Sequence, residues 1–172
     1  MVAPNSIVSL TTDFGLLDTY VGQLHAVLLR ENPMVKIVNL SHNVDSKNLD
    51  SALFHTQAAW GSFSSGTVHL VVVDPGVGSD RGIILVEVTG KKDSPPAFFI
   101  GPNTGILSSG LPNEMRLQAP NPPGPVPTIT GVSAVEITSA TMQSQQISYT
   151  FHGRDIMAPV AARVASGQKL DE

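Results

Sequence analysis

Short apolar runs alternate with helical periodicities through the first half of this chain, and that alternation restricts the fold more than any other feature. Ile7 to Leu10 is an apolar run ended by Thr11-Thr12-Asp13-Phe14-Gly15, which reads as a buried strand with a loop at its C-terminal end. From Asp18 to Arg30, Val21, Leu24, Val27 and Leu28 recur at helical spacing, with Asp18 placed as an N-cap and Pro33 just beyond the end. Val35 to Leu40 repeats the strand pattern, Asn48 to Trp60 the helical one through Leu49, Leu53 and Ala59, and Thr67 to Val73 is a third strand. This order predicts an α/β fold: a mostly parallel central sheet flanked by helices.

Ile83 to Val88 and Ala97 to Ile100 read as further strands separated by the turn-rich Thr89 to Pro96. Pro120 to Pro127 holds five of the 13 prolines and is read as a loop. Gly153 to Ser166 is a final helix with Pro159 inside it, so a kink or broken first turn is expected there. The length of 172 residues predicts one domain, 1–172, and no internal repeat is present.

Composition narrows the chemistry. A net charge of -4, with ten Lys and Arg scattered without a patch, argues against a nucleic-acid partner. The chain has no cysteine, so thiolate nucleophiles, disulfides and Cys-based zinc sites are excluded. His25, His42, His55 and His69 lack metal-ligand spacing, and no metal is assigned. The N-terminus has no leader-like pattern and no apolar run approaches spanning length; the expectation is a soluble, cytoplasmic protein with a small-molecule substrate and no membrane partner.

The polar residues gather at predicted strand ends. Val71-Val72-Val73 runs straight into Asp74, and Arg81 follows past Gly76 and Gly78. A carboxylate after so apolar a run needs a partner, and the two glycines permit the reversal that brings the guanidinium back to it. On these residues alone, a structural ion pair bracing a loop ranks first. The glycine pattern is not that of a dinucleotide-binding loop, because a strand-like run follows where a helix is required. Asp13, at the end of the first strand, suits a ribose diol or, equally, a turn. His152 lies in Thr150-Phe151-His152-Gly153-Arg154-Asp155, just before the last helix. A helix N-terminus there would lower its pKa and favour the neutral form; a capping histidine beside an Arg154–Asp155 ion pair is the plainer reading.

In order along the chain, Thr12-Asp13-Phe14-Gly15, Asp18-Thr19-Tyr20-Val21-Gly22, Ser41-His42, Gly66-Thr67-Val68, Val73-Asp74-Pro75-Gly76-Val77-Gly78 with Arg81, Gly101-Pro102, and Thr150 to Ile156 with Ala158-Pro159 resemble the S-adenosylmethionine hydroxide adenosyltransferases. That family is related to the fluorinases and chlorinases. The resemblance implies hydrolysis of S-adenosyl-L-methionine to adenosine and L-methionine by water attacking the ribose C5′, with no cofactor beyond the substrate. It implies Asp74, Arg81 and His152 as the water-activating residues, and Asp13, Phe14, Asp18, Gly153 and Arg154 as substrate-binding residues, Asp13 holding the ribose hydroxyls. The halogenating relatives carry tyrosine at Asp74 and serine at Gly153, which points to hydroxide as nucleophile here. The chain departs from the family at Asn103-Thr104-Gly105, usually Asp-Asn-Gly, and at His25-Ala26, usually Lys-Gly.

The resemblance also implies a homotrimer, and a second, smaller β-barrel domain that this chain is expected to lack, with much of the adenine-binding surface. The alternatives are an adenosine- or S-adenosylmethionine-binding module without turnover, and a subunit completed by a separate β-barrel partner.

Overall fold

The computed structural model describes residues 2–46, 48–89, 95–105, 107 and 130–168. Its strands are β1 (Ile7–Thr12), β2 (Lys36–Ser41), β3 (Thr67–Val72), β4 (Ile83–Val88), β5 (Ala97–Pro102) and β6 (Val132–Glu136). The helices are α1 (Tyr20–Glu31), α2 (Leu49–Trp60) and α3 (Ala158–Ala165). The six strands form one sheet in the order β2-β1-β3-β5-β4-β6. β1, β2, β3 and β5 are parallel, while β4 runs antiparallel to both its neighbours. The mostly parallel α/β sheet expected from the alternation is the observed architecture. The Pro120 to Pro127 loop lies outside the described residues, as does most of Thr89 to Pro96.

Because side chains alternate across a strand, the sheet builds two cores. Val8, Leu10, Val68, Leu70, Val72, Leu85 and Ile100 pack with Leu24 and Leu28 of α1 and with Val160 and Val164 of α3. Val71, Val73, Val86, Val88 and Phe99 face the other way, against Ala52 and Trp60 of α2. β3 is buried along its whole length, as a strand covered on both faces must be.

Helix starts correct one reading. Asp18 does not cap α1; the N-cap is Thr19, in helical conformation and without a side-chain capping bond. Its hydroxyl instead accepts a hydrogen bond from Gln23 Nε2 at 3.0 Å, and Asp18 stands exposed one residue further out. Asn48 does cap α2, its side chain accepting from the Ser51 N–H at 3.0 Å.

The expected break near Pro159 is a turn of π-helix, Gly153–Met157, that leads into α3 with Pro159 in its first turn. Proline has no N–H to give to the carbonyl four residues back. That carbonyl, of Asp155, accepts from the Ser144 N–H at 2.7 Å instead.

His69 sits buried in mid-β3, its Nδ1 2.7 Å from Ser9 Oγ and its ring stacked on Phe99 at 4.9 Å. Burial lowers its pKa from 6.5 to about 4. The unfolded chain therefore binds one more proton than the fold between those two values, so stability falls as pH drops through that window. The loss expected from pH 6.5 down to 4 is roughly 3 kcal/mol. Urea unfolding of wild type and His69→Asn across this range checks it: the variant, less stable at pH 7, should show the shallower slope.

Candidate active site

Chain reversal brings Asp13, Asp74, Arg81 and His152 to the C-terminal ends of β1 and β3. Thr12 and Val72 are register partners in the parallel β1–β3 pair, so Asp13 and Asp74 leave adjacent strand ends. The β1–β3 boundary is also where the strand order reverses, with β2 on one side and β3 on the other. Ligand sites of open α/β sheets form in the crevice at such a point.

The loop from Asp74 to Arg81 is a double reversal. Val77 N–H donates to the Asp74 carbonyl at 3.3 Å and Ser79 N–H to the Gly76 carbonyl at 3.0 Å. Gly78 has a φ of +82°, and a Cβ there would come within 3.0 Å of the Tyr149 carbonyl oxygen, so glycine is needed on both counts. The reversal returns Arg81 to Asp74 as a two-pronged pair: Nε donates to Oδ1 at 2.9 Å and Nη2 to Oδ2. The pair is buried, with side-chain exposures of 10% for Arg81 and 7% for Asp74. The Gly76 N–H adds a bond to Oδ1 at 3.2 Å.

Arg81 Nη2 also lies 2.9 Å from His152 Nδ1. A guanidinium only donates, so Nδ1 is the acceptor and the ring carries its proton on Nε2. The pKa of His152 is lowered, as the helix-terminus reading expected, but its causes are burial first and the Arg81 charge second, against the opposing pull of Asp74 and Asp155. Three residues from two distant segments are thus in direct contact through one guanidinium.

Gly153 explains how His152 gets there. A Cβ at this position would lie 2.5 Å from Val72 Cγ1, so only glycine lets the π turn settle on the end of β3.

Arg154 sits beside this turn. Its Nε and Nη2 donate to Asp155 at 2.6 and 2.9 Å, and Nη1 donates to Gln23 Oε1 at 2.9 Å. Its guanidinium also covers the Phe151 ring at 4.8 Å. The ion pair with Asp155 is present, and most of the Arg154 hydrogens are spent within the fold.

Phe14 joins the two halves of the site. Its ring meets Phe151 edge-on at 5.5 Å and Tyr20 at 5.8 Å, while Tyr20 and Phe151 meet at 5.3 Å. Asp13 is half-buried between Thr12 and Phe14, and Asp18 is exposed on the loop before α1. Tyr20, Phe151 and Thr12 carried no assigned role in the sequence reading; their contacts cross between segments that no spacing rule links. Among the described residues, no group of three or more His, Cys, Asp or Glu is placed to hold a metal ion.

Residues 8–172 match the family model described as SAM hydroxide adenosyltransferase N-terminal domain. A protein of Salinispora tropica named (R)-S-adenosyl-L-methionine hydrolase is 36% identical over 171 residues, 98% of this chain and 57% of its own length. One of the same name from Salinispora arenicola is 34% identical over 95% of this chain and 54% of its own. The crystal structure of an uncharacterized conserved protein from Thermotoga maritima superposes with a TM-score of 0.77 at 36% identity, covering 95% of this chain and 55% of that one. The chain spans just over half the length of the relatives it matches.

Proposed function

Since the chain belongs to the SAM hydroxide adenosyltransferase family, through its N-terminal domain, we propose that it hydrolyses S-adenosyl-L-methionine to adenosine and L-methionine. The observation that carries this reading is the single guanidinium of Arg81 held between Asp74 and His152.

A sulfonium is a good leaving group and needs no general acid, so the site has only to place and deprotonate a water in line with the C–S bond. The water oxygen bonds to C5′, the C5′–S bond breaks, and its electron pair stays on sulfur as the thioether of methionine. Arg81 stabilises the developing hydroxide. The Nδ1 lone pair of His152 is held by Arg81 and its Nε2 carries a hydrogen, which leaves the spare lone pairs of Asp74 to accept the water's proton. Asp13 accepts the ribose hydroxyls, beside Phe14 and within the reach of a loop that carries Asp18. The same reading makes the assembly a homotrimer, which sedimentation of the purified chain measures directly.

The test is incubation with S-adenosylmethionine and chromatography for both products, beside Asp74→Ala. Equimolar adenosine and methionine from wild type only is the expected result; no product at micromolar protein contradicts it. A second reading, ligand binding without turnover, is favoured by Asn103-Thr104-Gly105, which stands where the family usually has Asp-Asn-Gly. Adenosine binding by calorimetry with no product identifies it.

A pH profile tests the neutral histidine. Protonated His152 cannot accept from Arg81 and adds a like charge beside it. Because burial and Arg81 lower its pKa below the ordinary 6.5, the acid limb that His152 sets on kcat/KM should lie below pH 6.5 and be missing in His152→Gln. An acid limb above that value in wild type contradicts the assignment.

A further inference from the structure

We propose that His42 is a positioning residue that, through Thr12, fixes the Asp13 loop for recognition of a ribose diol; the inference rests on the reading of Asp13 given above. His42 follows β2 and is only 5% exposed. Its hydrogen bonds among the described residues run to the β1 end. Its Nδ1 lies 2.9 Å from the buried Thr12 Oγ1, and its carbonyl accepts from the Gly15 N–H at 2.6 Å. Two residues on, the Val44 N–H donates to the Thr12 carbonyl at 3.3 Å. Thr12 Oγ1 in turn accepts a long bond from the Phe14 N–H at 3.4 Å.

These bonds fall on Thr12, Phe14 and Gly15, the residues on either side of Asp13. Gly15 has a φ of +68°, so the loop makes its turn at a point where His42 holds it. A carboxylate that grips two vicinal hydroxyls must present both oxygens at a fixed angle, and a loop free to rock would lose that bidentate contact first. His42 meets this need without approaching the ligand: one side-chain bond and one main-chain bond clamp the segment from beneath. Its Nε2 is buried with no partner among the described residues. The ring therefore acts through Nδ1, and an asparagine, whose Oδ1 can stand where Nδ1 stands, should replace it.

The experiment is calorimetric binding of adenosine and of 2′,3′-dideoxyadenosine to the full chain, read as the ratio of the two Kd values. Wild type should prefer adenosine roughly tenfold or more, as expected for hydrogen bonds to a charged group, and Asp13→Ala should erase the preference. His42→Ala and Thr12→Val should each bring it to within about threefold of Asp13→Ala, while His42→Asn keeps the wild-type ratio. A purely structural role would weaken both ligands alike and leave the ratio unmoved. Retention of the full preference in His42→Ala and Thr12→Val, with Asp13→Ala behaving as stated, overturns the role of His42 alone. Should His42→Ala fail to fold, the comparison of Thr12→Val with His42→Asn decides, since the first keeps the shape of the site without the hydroxyl and the second keeps an acceptor where Nδ1 stands. A wild type that does not distinguish the two ligands overturns the ribose reading itself, and this inference with it.

Discussion

Arg81→Met should abolish turnover and destabilise the fold in the same step. The side chain is replaced by one of similar reach, but Asp74 is left 7% exposed without its cation, and His152 loses the donor on Nδ1. Removing one member of a buried pair costs about 3–5 kcal/mol, because the remaining charge stays desolvated. The activity loss should be at least on the order of a thousandfold, the scale for a donor aimed at developing negative charge. Adding Asp74→Asn to Arg81→Met separates the two effects. With a neutral amide in place of the stranded carboxylate, part of the stability should return while product formation remains absent. Urea unfolding with the product assay reads both. An Arg81→Met protein as stable as wild type would mean that the loop can turn Asp74 out to water, and that the pair does not brace the site.

The second large effect is expected at a residue with no side chain. Gly153→Ala would set a methyl 2.5 Å from Val72 Cγ1, and valine, stiff at χ1, cannot fold the group away cheaply. The π turn must lift off β3, carrying His152 with it. Overpacking of this kind costs about 1–3 kcal/mol, and a displacement approaching 1 Å at a catalytic group costs about a hundredfold in rate. Val72→Ala removes the obstructing carbon, so Gly153→Ala combined with Val72→Ala should recover most of the lost turnover although Val72→Ala alone is destabilising. Thermal unfolding and turnover of the single and double variants form the cycle. Additive losses would place the requirement for glycine somewhere other than this contact.

The sheet was legible in the sequence because its central strands are covered on both faces and read as mostly apolar runs; Ile83–Val88 has the bounds read from the pattern. β6 was not read, since Val132 is buried but Ser133, Val135 and Glu136 face solvent or the rim of an edge strand, and so short a half-exposed run gives no clear alternation. The Asp18 cap failed for a local reason: Thr19 enters the helical conformation, so the helix begins one residue later than the acidic signal suggests. Within the site, the Asp74–Arg81 pair could be reasoned from two glycines across 7 residues. The contact that makes it more than a loop brace, to His152 across 71 residues, could not. Nor could the Thr12–His42 bond, which spans 30 residues and two parallel strands; in sequence His42 is one more histidine without a partner. Ordered resemblance to a family supplied what local patterns lack, the placement of distant segments at one sheet edge.

Asp74, Arg81 and His152 act in this account on one species, a water molecule bound for C5′. Turnover of S-adenosylmethionine in ¹⁸O-enriched water, with mass analysis of both products, tests that directly. Adenosine should carry one heavy oxygen at its 5′-hydroxyl, methionine should be unlabelled, and Asp74→Ala should give neither product. Label in methionine, a product cleaved elsewhere such as methylthioadenosine, or undiminished adenosine formation by Asp74→Ala would contradict it.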